Sequence, residues 1–335
     1  MTSAQFLPLV LALVLGLAVV LYVVLDGFDL GIGMLFPLYP DEADRDQIMN
    51  SVAPFWDGNE TWLVLGGVTL WAAFPKAFAI IMPALYIPVL VLLLALIFRG
   101  VAFEFRWVAK PRHRKWDVAF SAGSIMAAFA QGLVLGGILQ EIPVRDGQFA
   151  GRPLDWLTPF SVMCGLAVVT GYALLGATWL MLKTSGRVEQ QARRMGPWLL
   201  LALLAFIVIV SIWTPLQFPR IAQRWFKLPN IFFLAQVPVA TAIFAVLCWR
   251  GMRRGTLLPF VAAIAIFLLA FVGLVGSNVP YIVPPSLTVW EAAAHPTSQT
   301  FFLVGASVLL PMILGYTVLV FWLFRGKLAE GEGYH

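Results

Sequence analysis

Residues 56–74 read WDGNETWLVLGGVTLWAAF. From Leu63 on, this run has the composition of a helix in a lipid bilayer, yet it opens with two carboxylates, Asp57 and Glu60, fenced by Trp56 and Trp62. How that opening is read decides the fold. The rest of the chain answers: 61% of its 335 residues are hydrophobic and 12% charged, about half the charged share of a soluble domain. A chain this poor in charge cannot clothe a globule of this size, so it is an integral membrane protein.

Apolar windows near the 20 residues needed to cross a hydrocarbon core fall at 7–36, 52–74, 77–105, 117–139, 158–182, 197–214, 230–249, 257–276 and 301–324. They predict an all-α polytopic membrane protein: about nine transmembrane helices forming one transmembrane domain over 1–335, arranged as two four-helix bundles plus one peripheral helix. The first run exceeds a signal-peptide core and lacks a basic leader, so it is kept as a mature helix. Pro83, Pro88, Pro238 and Pro311 lie inside these runs and predict kinks. The small-residue pairs Gly27/Gly31 and Gly132/Gly136 predict close helix crossings.

With nine crossings the termini fall on opposite sides, and Lys and Arg sort into two sets. One side holds fifteen: Arg45, Arg106, Lys110, Arg112, Arg114, Lys115, Lys183, Arg187, Arg193, Arg194, Arg250, Arg253, Arg254, Arg325 and Lys327. The other holds six: Lys76, Arg145, Arg152, Arg220, Arg224 and Lys227. Positive-inside makes the first side cytoplasmic, with the N-terminus outside and the C-terminus inside. Basic residues sorted into loops this way mark topology, which excludes nucleic acid as the reason for the net charge of +5.

The one remaining cation, Arg99, lies in LLLALIFRGVAFEFR, inside the third run. Asp26 and Asp29 lie late in the first run, in LDGFDLGIG, and Asp57 and Glu60 lie early in the second; each pair is three residues apart and shares a helix face. All five come to a similar depth near the cytoplasmic end. Each lone charge at mid-membrane costs about 2.5–3.5 kcal/mol, so partners or protons are required. Two readings stay open for the group: a structural ion network, or a proton or substrate path. Asp57 and Glu60 also suit a helix N-terminus, and the tryptophans an interfacial belt. Glu104 and Arg106, nearest the loop, are expected to snorkel to the headgroups. Glu291, in the uncharged stretch VPPSLTVWEAAAH, is read as a solvated loop acid or part of a surface helix.

Metal and haem chemistry is not signalled. His113, His295 and His335 all fall outside the apolar runs, and Cys164 and Cys248 lie singly inside them, as small buried hydrophobes do. No phosphate loop, dinucleotide fingerprint or nucleophile elbow occurs. The residues alone leave a proton or ion conductor, a stand-alone transporter, or a non-catalytic partner in a larger complex.

The segments LDGFDLGIGML, NSVAPFWDGNETWLVLGG, WAAFP and FRGVAFEFR, in this order, resemble subunit II of the cytochrome bd-type quinol oxidases. The likeness is dense over 24–106 and returns at PPSLTVWEAA; the short chain and modest loops look more like the cyanide-insensitive branch. The resemblance implies a haem-free subunit in a bacterial inner membrane. Its partner, subunit I, would carry haem b and haem d, oxidise quinol at the outer face and reduce oxygen to water. It implies no cofactor bound by this chain alone, and leaves open a structural quinone or lipid and a small accessory subunit.

Carried over by motif, the resemblance implies a proton path with Asp57 as its loading acid, together with Asp26, Asp29, Glu60, Arg99 and Glu104. It sets Trp62, with Trp56 nearby, beside a route for oxygen or quinone, where an interfacial tryptophan is the equal alternative. Glu60 stands where relatives often carry glutamine, and FRGVAFEF lacks the proline that others have after the arginine.

Overall fold

The computed structural model describes residues 3–110, 113–255 and 257–328; Arg112 of the basic set and the terminal His335 lie outside the described residues. In chain order the helices are α1 (Ser3–Leu35), α2 (Glu42–Asn50), α3 (Trp56–Ala73), α4 (Pro75–Ala84), α5 (Tyr86–Val108), α6 (Arg114–Leu139), α7 (Pro159–Lys183), α8 (Gly186–Gln217), α9 (Pro219–Phe226), α10 (Asn230–Leu234), α11 (Gln236–Arg254), α12 (Leu258–Asn278), α13 (Val289–Ala292) and α14 (Pro296–Leu323). Two small antiparallel hairpins, β1–β2 (Val144–Arg145 with Gln148–Phe149) and β3–β4 (Tyr281–Val283 with Leu287–Thr288), turn the chain between crossings.

Among the described residues eight helices are long and apolar enough to cross a membrane. α3 has 18 residues, about 27 Å of helix, but its polar opening keeps it out of that group on composition. It packs along α1 in the antiparallel sense, as a crossing helix would: Glu60 stands level with Asp26 through their shared arginine, Gly66 faces Ala18, and at its last residue Ala73 accepts a hydrogen bond from Ala294. The all-α, roughly nine-helix polytopic architecture is therefore present. α1, α3, α5 and α6 form one bundle and α7, α8, α11 and α12 the other; α14 lies outside, against α1 and α3, with most of its apolar surface uncovered.

The bundles meet where α1 and α6 cross α7. A Cβ on Gly31 would lie 1.8 Å from the Tyr172 carbonyl oxygen, and one on Gly132 would lie 2.4 Å from the Gly165 Cα. Only hydrogen fits there, so both crossings bring backbone onto backbone, as the small-residue pairs predict.

Two of the four prolines break their helices. α4 and α5 part at Leu85, three residues before Pro88, and α10 and α11 part at Ala235, three before Pro238. In both, the missing proline N–H and the ring's clash fall on the carbonyl four residues back, so the helix resets one residue later. The single run expected over 77–105 is thus two helices. Pro83 and Pro311 are absorbed inside α4 and α14.

Candidate functional site

α5 carries Arg99 into the bundle with its side chain 1% exposed. Gly123 of α6 makes this possible: a Cβ there would lie 2.8 Å from the Ala95 carbonyl oxygen and 3.1 Å from the Arg99 amide. The guanidinium meets three carboxylates. Nη1 lies 3.1 Å from Asp26 Oδ1 and 2.6 Å from Glu60 Oε1, and Nη2 lies 4.0 Å from Asp29 Oδ2. Asp29 also accepts a 2.7 Å hydrogen bond from the Asn59 side chain. Asp26 and Asp29 are wholly buried, while the Glu60 side chain is 25% exposed and forms the outer edge of the group. Trp56 covers it, its ring centroid 6.0 Å from the Arg99 guanidinium and 5.2 Å from the Phe103 ring.

The electrostatics are unbalanced: three carboxyl groups share one cation. A membrane interior does not tolerate two uncompensated negative charges, so the excess must be met by bound protons or by a cation from outside the chain. Among the described residues Asp26 Oδ2, Asp29 Oδ1 and Arg99 Nε make no hydrogen bond, which leaves the two carboxylate oxygens able to accept from water or a proton donor and the Arg99 Nε–H able to donate to water.

Not every expected residue joins this group. Asp57 forms no ion pair among the described residues; it is exposed in the first turn of α3, beside a cavity of about 200 Å3 lined also by Asn59, Tyr316 and Thr317. Glu60, one turn on, is the α3 acid that faces Arg99 instead. Glu104 is exposed and also stays apart. Trp62 is wholly buried, with its indole N–H unpaired among the described residues, so it does not face the headgroups as a belt tryptophan would. Asn59 was not singled out by charge; its signal is a polar amide between the two acids in a run that is otherwise turning apolar.

Arg106 corrects a second expectation. Instead of snorkelling it is wholly buried, 2.7 Å from Asp117 and 2.5 Å from Asp46. Asp117 also pairs with Arg45 at 2.9 Å, and Lys110 pairs with Asp46. The acidic stretch DEADRD, which sits oddly in a basic loop, folds as α2 and supplies Asp46 to this network. Arg99 and Arg106 lie seven residues apart on the same face of α5, with Phe103 and Phe120 packed between the two ionic groups. Aromatic rings thus separate the two ionic groups, and Glu60 is the partly exposed member of the Arg99 group.

Both described histidines lie outside the crossing helices' interiors. His113 sits 3.8 Å from both Glu42 and Asp117, and His295 receives the Thr297 amide at the start of α14. No group of three or more His, Cys, Asp or Glu suited to a metal occurs among the described residues. Glu291 is an exposed helix cap: it exchanges hydrogen bonds with Thr288, which hold its carboxyl below the usual range.

A polytopic helical chain with a carboxylate-rich ionic group buried at one end of its first bundle is a membrane protein built around intramembrane charge. Comparison with known proteins gives the family. Residues 7–324 match the model for cytochrome bd terminal oxidase subunit II, and the chain belongs to that family. It is 25% identical to cytochrome bd-I ubiquinol oxidase subunit 2 of Escherichia coli K12, covering 99% of this chain and 98% of that one. It is 28% identical to cytochrome bd ubiquinol oxidase subunit 2 of Bacillus subtilis, covering 92% and 93%. The fold matches a chain of the bd oxidase from Geobacillus thermodenitrificans with a TM-score of 0.79 at 19% identity, over 95% and 98% of the two chains. The protein is thus the second subunit of a respiratory quinol oxidase, a haem-containing complex in which a subunit II implies a subunit I.

Proposed function

We propose that this chain is the haem-free subunit that supports subunit I in oxidising quinol and reducing oxygen to water, and that it carries part of the proton supply through the Arg99 group. The observation behind this reading is the three-to-one excess of carboxyl groups over cations at a buried site with one partly exposed member, Glu60. Such a site holds exchangeable protons and has a way out.

Haem b and haem d, held by subunit I, would supply the electron transfer and oxygen chemistry; the quinone or lipid and small accessory subunit that the resemblance leaves open would be further members of the complex. Reducing one oxygen molecule to two waters takes four protons. With fifteen Lys and Arg on the side of the Arg99 group against six on the other, that end faces the cytoplasm and the N-terminus faces out. Protons taken from the cytoplasm, with quinol protons released outside, then build a membrane potential without pumping. The whole chain acts as one transmembrane domain.

Along the path, Asp57 collects protons at the exposed start of α3 and Glu60, one turn further, passes them inward. Arg99 offsets the charge left behind, and Asp26 and Asp29 stabilise the inner side of the path. Oxygen consumption by the purified complex tests the assignment. E60Q keeps the shape but cannot release a proton, so turnover should fall at least tenfold with haem content unchanged; D57N should fall as well, by less if solvent can reach Glu60 directly. Parent-like turnover in both variants removes the proton role and leaves a scaffold.

A further inference from the structure

Three uncharged polar side chains that the path does not use form a string behind Asp26. Tyr172 of α7 donates its hydroxyl to Gln131 Oε1 of α6 at 2.6 Å, and Gln131 Nε2 donates to the Tyr22 hydroxyl of α1 at 2.8 Å. Tyr22 and Tyr172 are 5% and 1% exposed. Tyr22 lies one turn before Asp26 on α1, on the same face of the helix. Arg99 takes Asp26 Oδ1, which leaves Oδ2 open to the Tyr22 hydroxyl.

Donor and acceptor chemistry fixes the direction of the string. Tyr22 accepts from Gln131 Nε2, so its single proton is not used within the string and is free for the open Asp26 Oδ2. The amide then has its nitrogen toward Tyr22 and its oxygen toward Tyr172, which must donate. The amide accepts at one atom and donates at another, so a proton passed along it would leave an imidic acid behind. The string therefore orients and does not conduct.

From this geometry we infer that Tyr22, held by Gln131 and Tyr172, is a positioning residue that aims a hydroxyl donor at Asp26 and fixes it as the standing counter-ion of Arg99, leaving Glu60 as the member that exchanges protons. The inference rests on the proton-path reading. It gives Asp26 and Glu60, which share one guanidinium, different tasks. The ionisable groups facing Asp26 are Tyr22 and Asp29 on α1, Glu60 on α3, Arg99 on α5 and Tyr172 on α7.

The test is Y22F and Q131M in the intact haem-bearing oxidase, measuring turnover across pH together with thermal melting. Y22F keeps the ring and removes one hydrogen bond to a charged group, so turnover should fall about tenfold, with the pH profile displaced and the haem spectrum intact. Q131M, which frees the Tyr22 hydroxyl to rotate, should displace the profile in the same direction, and the double variant should be no worse than Y22F alone. A parent-like pH profile in Y22F, with or without a lower melting temperature, overturns the inference. D26N separates the two readings. Impaired D26N beside parent-like Y22F removes only the positioning role, whereas parent-like D26N removes the path itself.

Discussion

Arg99→Met in the assembled oxidase is expected to abolish oxygen-consuming turnover and to destabilise the chain by about 3–5 kcal/mol, the cost of leaving a buried charge group without its partner. The methionine fills a similar volume but leaves Asp26, Asp29 and Glu60 facing one another with no cation. They can then remain in the membrane only as neutral acids, which hold their protons and release them poorly. Arg99→Lys should recover part of the stability and less of the turnover: one ammonium replaces the charge but not the fork that reaches Asp26 and Glu60 together. Thermal melting and oxygen consumption on the same preparations check both. Parent-like turnover in Arg99→Met would contradict the proposal.

The second large effect is structural. Gly31→Ala adds one methyl where a Cβ would lie 1.8 Å from the Tyr172 carbonyl oxygen, and neither backbone can retreat without opening the crossing between the two bundles. A loss above about 4 kcal/mol is expected, in the range reserved for a forced rearrangement of packed backbone, with little intact complex recovered. Gly16→Ala on the same helix is the control. Its Cβ would meet Phe271 at 3.6 Å, an ordinary contact, and the alanine is the better helix former, so recovery should match the parent. Yield of haem-bearing complex and its melting temperature measure the contrast. Equal recovery of both variants would mean that the crossing is not tight.

Much of this architecture is legible in the sequence because lipid removes alternatives: each 20-residue apolar run has to be a helix, and each proline or glycine within it has a limited set of consequences. What the runs do not reveal is where short surface helices form. DEADRD looks like loop and becomes α2 because Asp46 finds Arg106 and Lys110, partners some 60 residues away. The breaks at Leu85 and Ala235 follow a local rule, yet Pro83 and Pro311 obey the same rule and break nothing, since surrounding helices decide whether a freed carbonyl is tolerated.

At the site, Asp26, Asp29 and Arg99 are conspicuous as charges inside apolar runs. Asp57 and Glu60 are equivalent by spacing, and only the rotation of α3 about its axis, set by packing against α1 and α14, turns Glu60 inward and Asp57 outward. Arg106 misleads for a related reason: its distance from the loop says snorkel, but α2 roofs it over. Tyr22, Gln131 and Tyr172 carry no charge and so escape a search for charges. Gln131 alone leaves a trace, a side-chain amide in the middle of AFAQGLVLGG, where an apolar residue would cost less.

The measurement that bears most directly on the proton role is time-resolved proton uptake when the reduced complex, in vesicles with a pH indicator on the cytoplasmic face, is exposed to oxygen. The parent should take up protons from that face in step with oxygen reduction, and E60Q should slow uptake and turnover by the same factor, at least tenfold. Uptake in E60Q as fast as in the parent, from that face, would contradict a proton path through Glu60 and Arg99.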